Sequence, residues 1–370
     1  MLRILHTGDV HLDSPFSGLD PNSAEVRRNE LRAAFTSLFY YARTEEVDLV
    51  LISGDLFDAD FVTRETLALI KREFGSTPCP IVIAPGNHDS VSESSVWKRG
   101  VFTDNTYIFT KDSLDYFDFP EIGARVWGYA FTSRTMEKSP IASHNVYEAE
   151  NPDHLKNILC AHGDLSSSLS TSCPLSVREL EAFGADYAAL GHIHNPEEYT
   201  DRIAYCGCLE GRSFDETGHK GALLVTIDGA KISSQKVRFS KRRYENETLK
   251  IDGAETNGDI KEKIAAFVTE KRYGDNTILR LTLSGEVSPS LIVNHSFLEE
   301  NPPRVFKLKI VDATSPMLDS HQLRSDPTLR GEFYRLLEPM LQSESAEERE
   351  RAKEALRIGL SALAGEAVTY

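Results

Sequence analysis

The chain has 370 residues, 40% apolar and 26% charged, and a net charge of −16. Its length exceeds what one hydrophobic core usually serves, so a main domain with an appendage is expected. The acidity argues against broad attraction to a phosphate backbone, and no apolar run approaches the ~20 residues of a membrane span.

The chain opens on "LRILHT", a strand pattern that leaves no room for a signal peptide's apolar region. With five cysteines, an odd number that fits reduced thiols, this points to a cytoplasmic protein. Next come "AEVRRNELRAAFTSLFYYART", with Leu31, Phe35 and Leu38 at helical spacing, the strand "VDLVLIS", the helix "TRETLALIKREF" and the strand "CPIVIA". "KNILCA" and "YAALG" read as further strands, separated by a Ser/Thr-rich loop and the short helix "SVRELEAFG". Strands alternating with helices give an α/β fold. Cys206 and Cys208, two residues apart, are expected to share one face of a strand as structural thiols.

Beyond Arg243 the texture changes. "RRYENETLKI", "DIKEKIAAFVTEKR", "TILRLTLSG" and "FKLKIV" suggest a small β/α domain over 243–325. Residues 326–370 read as a helical tail, in which Ser345-x-x-Glu348 has the form of a capping box. Leu356, Leu360 and Leu363 then share a helix face, free either to dock a partner or to pack on the chain itself.

The polar clusters of residues 1–242 all follow apolar strands: "GDVH" (Asp9, His11), "GDLFD" (Asp55), "GNHD" (Asn87, His88, Asp89), "HGD" (His162) and "GHIH" (His192, His194). In open α/β sheets the carboxyl edge of the strands is where ligands bind. Asp, His and Asn offer mixed oxygen and nitrogen donors, suited to manganese, iron or zinc, and no cysteine joins them. Asp9, His11, Asp55, Asn87, His162, His192 and His194 exceed one cation's needs; two divalent ions sharing a bridging Asp would use them. A lone "DxH" or "GHxH" is a weak signal and "GNHD" a somewhat stronger one, although a turn would explain "PGNHD". Their common placement carries the argument. The remaining histidines, His6 among them, read as structural or surface residues.

These clusters resemble those of the calcineurin-like metallophosphoesterases. "HTGDVHLDSPFSGL", "GDLFDADFVTRETL" and "YCGCLEGRSFDETGHKGALLVTI" resemble the DNA-repair exonuclease branch, SbcD-like and of the YhaO group. The resemblance implies two packed mixed β-sheets flanked by helices over 1–242, in four layers, followed by a capping region. It implies that Asp9, His11 and His194 hold one metal, that Asn87, His162 and His192 hold the other, and that Asp55 bridges them. His88 would protonate the leaving group, with Asp89 orienting it. Asp58 departs from several family nucleases, which carry histidine after "GDLF".

The expected reaction is attack of a metal-activated hydroxide on phosphorus, with a histidine donating the departing proton. A manganese-dependent DNA exo/endonuclease working with an SMC-like, SbcC-type ATPase is the first reading. A phosphomonoesterase or small-molecule (cyclic-nucleotide) phosphodiesterase on the same metals is the second. A structural subunit of the ATPase complex is the third. "KVRFSKRRY" is the densest basic stretch, either a DNA contact or a solvated strand edge. A symmetric homodimer is common in the family, although no local feature marks its interface.

Overall fold

Strand β1 (Leu2–Thr7) is buried along nearly its whole length, as a strand inside a sheet must be. The computed structural model describes residues 1–363 other than 60, 100, 101, 143, 289, 290, 301, 318 and 319, so the last part of the helical tail, 364–370, lies outside the described residues. The chain divides into two compact units, Met1–Glu245 and a second that begins at Asn246.

In the first unit the chain builds one sheet, leaves for another and returns. From β1 it runs through helix α1 (Pro21–Thr44), β2 (Leu49–Ile52), α2 (Arg64–Gly75), β3 (Ile81–Ile83) and β4 (Thr106–Ile108). It then forms β5 (Asp115–Phe119), β6 (Ala124–Gly128), β7 (Lys156–His162), α3 (Val177–Phe183), β8 (Tyr187–Gly191), β9 (Glu197–Thr200) and β10 (Ile203–Tyr205). The hairpin of β11 (Gly221–Asp228) and β12 (Lys231–Arg238) rejoins the first sheet. The sheets have six strands each, in the orders β12-β11-β1-β2-β3-β4 and β5-β6-β7-β8-β10-β9. Both mix parallel and antiparallel pairs.

Alternation along the strands sets the layers. Ile4, Val50, Ile52 and Val82 of the first sheet share one core with Val126, Ile158, Cys160 and Ala189 of the second. Leu159, Ala161 and Leu190, pointing the other way, pack with Leu180 and Phe183 of α3. Helix α1 starts where Asp20 accepts from the Ser23 N–H and Pro21 occupies the first turn. Its Phe35 and Phe39 meet Phe74 of α2, at ring-centroid distances of 6.3 and 5.2 Å. The result is the expected α/β fold of two mixed sheets flanked by helices.

The second unit contains a three-stranded sheet in the order β13 (Arg243–Lys250), β14 (Thr277–Val287), β15 (Lys307–Pro316). Helix α4 (Asn257–Glu270) opens on a Thr256/Asp259 capping box and buries Ile260, Ile264 and Val268 against Leu279, Leu281 and Ile310. After α5 (His295–Glu300) and β15 come α6 (Ser320–Ser325), α7 (Leu329–Leu341) and α8 (Ala346–Leu363). Ser345 Oγ accepts from the Glu348 N–H at 3.4 Å, whereas the Glu348 carboxylate accepts from Ser343 Oγ at 2.5 Å, so half of the capping box forms. Leu356 and Leu360 of α8 are buried with Leu323, Tyr334 and Leu337, and Leu363 is exposed. That apolar stripe therefore serves the chain's own helices.

Strand register positions the polar loops. Thr7 pairs with Ile52 and Ile52 with Ile83, so β1, β2 and β3 end in one row. In the second sheet His162 pairs with Gly191. Parallel strands release their loops at the same edge.

Candidate metal centre

The loops after β1 and β2 run side by side. The Asp9 N–H donates to Gly54 O at 3.0 Å, and the His11 N–H donates to Asp55 O at 2.9 Å. Asp9, His11 and Asp55 hold φ values of 47°, 49° and 52°, and His192 holds 111°. Non-glycine residues seldom adopt this region, and it persists where surrounding structure imposes it. The two sheet edges approach so closely that a Cβ on Gly54 (φ +91°) would lie 2.3 Å from His162 Nδ1, and one on Gly191 1.9 Å from Ser53 O. Only glycine permits that contact.

Side chains from both sheets then converge. Asp55 Oδ2 lies 3.6 Å from His11 Nε2 and 3.5 Å from His162 Nε2. Its Oδ1 accepts from the His88 N–H at 2.9 Å. His11 Nε2 is 3.3 Å from His194 Nε2, which is 3.8 Å from Asp9 Oδ1. His162 Nε2 is 2.9 Å from Asn87 Oδ1.

The opposite ring nitrogens reveal what these contacts are. His162 Nδ1 is 2.9 Å from Ser53 O, which can only accept, so Nδ1 carries the proton. By the same logic His11 Nδ1 donates to Asp58 Oδ1 at 2.8 Å and His194 Nδ1 donates to Glu216 Oε1 at 2.6 Å. In the neutral rings every Nε2 presents a lone pair inward, against the oxygens of Asp9, Asp55 and Asn87. Acceptors facing acceptors at these distances are the donor set that divalent cations would satisfy. Among the described residues, Asp9/His11/His194, Asp9/Asp55/His162 and His11/Asp58/His88 each bring three potential ligand atoms within 4.8 Å of one another, although Asp58 in the third already accepts from both rings.

Two residues depart from expectation. His192 sits beside His162 with ring centroids 5.2 Å apart, but its Nε2 faces Asp164 Oδ2 at 3.9 Å, and it joins none of those groupings. Its backbone N–H donates to both Asp9 oxygens, at 3.1 and 3.0 Å. The second departure is a correction: Asp89 does not orient His88. Its carboxylate accepts from the backbone N–H groups of Gly86 (2.7 Å), Leu56 (2.8 Å) and Asp55 (3.3 Å), tying two turns together. Burial, reinforced by the Asp55 charge, pushes the Asp89 carboxyl up to about 7. Asp58 stands against His88 instead, with Oδ1 3.1 Å from Nδ1. Despite burial, hydrogen bonds from His11 and His88 hold Asp58 well below the usual carboxylate range. The same bond to Asp58 raises the His88 pKa. His88 is also the open ring of the set, its side chain 51% exposed while His11 and His162 are fully buried.

Residues 2–196 match the calcineurin-like phosphoesterase family. The chain belongs to that family. It is also similar to "Uncharacterized metallophosphoesterase YhaO" of Bacillus subtilis (strain 168), 26% identical over 300 residues that cover 77% of this chain and 72% of that protein. Calcineurin-like phosphoesterases typically bind two divalent metals, and the inward lone pairs around Asp55 fit such a pair.

Glu216 and Arg212, which flank His194, belong to this calcineurin-like site although the motif reading passed over them. Both follow β10, which is parallel to β8 and ends at the same edge, so the strand-end rule extends to them. Cys206 and Cys208 lie beyond β10, not on a strand face, and both thiols are free and buried. The basic stretch Lys236–Tyr244 is largely tied up: Arg242 pairs with Glu30 at 2.6 Å, Arg243 with Glu245 at 3.4 Å and Lys236 with Glu198 at 3.9 Å. Among the described residues no helix is long and apolar enough to cross a membrane.

Proposed function

We propose that the chain is a dinuclear-metal phosphodiesterase, with manganese as the working ion and DNA as substrate. The observation that carries the reading is the convergence of His11 and His162 Nε2 on the Asp55 carboxylate, with His194 Nε2 turned to His11 and Asp9 beside them. Asp9, His11 and His194 would hold one ion and Asn87 and His162 the other, with Asp55 shared; His192, stacked beside His162 but facing Asp164, would join the second site by turning its ring. When bound, such a pair neutralises charge on the phosphoryl group and lowers the pKa of a water.

The chain's own groups do the rest. His88, at the open side, protonates the leaving oxygen from its ring. Asp58 takes the orienting role: it holds Nδ1 and favours the protonated ring that a proton donor needs. Glu216 fixes the tautomer of His194, as Asp58 does for His11.

A second reading, hydrolysis of a small phosphodiester, is favoured by the net charge of −16 and by the internally paired basic stretch. Purified protein with manganese, offered linear DNA and bis-p-nitrophenyl phosphate, separates the two. Cleavage of both supports the nuclease reading; cleavage of the small ester alone removes it. An SMC-like ATPase as partner is also proposed, docking on α7, which exposes Leu329, Leu336 and Met340. Leu336→Glu should abolish co-purification with that ATPase while sparing ester cleavage; unchanged capture refutes the docking face.

A further inference from the structure

Arg212 is held in place by its backbone and under-used by its side chain. Its N–H donates to Glu216 Oε2 at 2.6 Å, its carbonyl accepts from Tyr244 Oη at 3.0 Å, and the preceding Gly211 carbonyl accepts from Arg27 Nη2 at 2.7 Å. The guanidinium, only 15% exposed, therefore projects from a rigid loop. Nη2 lies 3.1 Å from His194 Nδ1, but that nitrogen already donates to Glu216, so the contact is packing and not a hydrogen bond.

Nor does Glu216 account for the guanidinium. Its Oε1 takes His194 at 2.6 Å and its Oε2 takes the Arg212 backbone at 2.6 Å. Arg212 Nη2 receives a long third share at 3.4 Å, and its Nε is buried with no hydrogen-bond partner among the described residues. A desolvated guanidinium with unmet N–H groups is costly unless an anion completes it. Nη2 also lies 3.5 Å from His194 Nε2, the nitrogen turned toward His11, so the guanidinium faces the cluster.

We propose that Arg212 is the substrate-binding residue that grips a non-bridging phosphoryl oxygen beside the metal pair. The fork of N–H donors suits two oxygens of a tetrahedral phosphate. The binding energy would be placed on the reacting group itself, which orients it for in-line displacement. This inference rests on the dinuclear reading above.

The test titrates inorganic phosphate into manganese-loaded protein by calorimetry, with metal content and melting temperature measured in parallel. Arg212→Ala should bind phosphate roughly 10- to 100-fold more weakly, the range for losing a charge-assisted hydrogen bond, with two metals and the melting temperature retained. Methylguanidinium should restore part of the affinity. Arg212→Lys, which keeps the charge and loses the fork, should fall between; it also serves if the alanine variant folds poorly. Unchanged phosphate affinity in both variants overturns the proposal. So does a loss of metal whose correction with excess manganese restores phosphate binding, since Arg212 would then only support His194. A wild-type protein that takes up no metal sinks the dinuclear reading itself, and this inference with it.

Discussion

Replacing Asp58 by Asn separates the two carboxylates near His88. Asp58 Oδ1 receives both His11 Nδ1 at 2.8 Å and His88 Nδ1 at 3.1 Å. An Asn there keeps the shape and one acceptor oxygen but removes the charge. Charge-assisted hydrogen bonds are roughly twice as strong as neutral ones, so about 1.5 kcal/mol is lost at His88, a ~10-fold effect on its protonation. His11 loses the charge of its partner too, and such changes typically cost up to 10- to 100-fold in metal affinity. Turnover should therefore be measured at saturating manganese. The expected result is kcat lower by about 10- to 100-fold, with the alkaline limb of its pH profile shifted to lower pH. The sign follows from the raised His88 pKa: the acid works protonated, and without Asp58 it deprotonates sooner. Asp89→Asn is the control. It disturbs three backbone N–H partners, so stability should fall by roughly 1–3 kcal/mol, while the alkaline limb stays in place. An alkaline limb that moves in the Asp89 variant and not in the Asp58 variant would refute the assignment.

Other expectations follow from single contacts. His88→Ala should retain its metals, measured by elemental analysis, and lose about 10²- to 10⁴-fold in turnover; loss of an ion would mark His88 as a ligand. Gly191→Ala drives a Cβ to 1.9 Å from the Ser53 carbonyl, and should lower stability by about 1–3 kcal/mol or more. Denaturant titration reads this directly, and a wild-type midpoint would show that the sheet edges can part. Buried His6, bonded to Tyr187 Oη, Ser53 Oγ and Leu190 O, has its pKa lowered by desolvation to about 3. Between that value and 6.5 the unfolded chain takes up a proton that the folded chain refuses. Stability should thus fall as pH drops through this window, by about 1.4 kcal/mol per unit. His6→Gln should remove that slope, and equal slopes for both proteins between pH 5 and 7 would contradict it.

Much of this was legible in the sequence. β1, α1, β2, α2 and β3 announce themselves because burial imposes a strand or helix period on long apolar runs. The polar clusters were recognisable as one site because each follows such a run, and parallel strands empty at a common edge. Strands β4, β5 and β6 were not legible: three to five residues each, they owe their form to neighbouring strands more than to their own pattern.

Within the site, identity and direction parted company. The sequence by itself determined which residue types gather: the seven aspartate, asparagine and histidine candidates, and beside them His88 to move a proton. Only the tertiary structure decided where each points. The turn after β3 sends the Asp89 carboxylate into its own backbone and leaves His88 to Asp58, some thirty positions earlier in the chain. Glu216 and Arg212 reach His194 because β10 returns beside β8. Composition and period report burial, which is local; a hydrogen-bond partner depends on φ, ψ and strand register, which the whole fold sets at once.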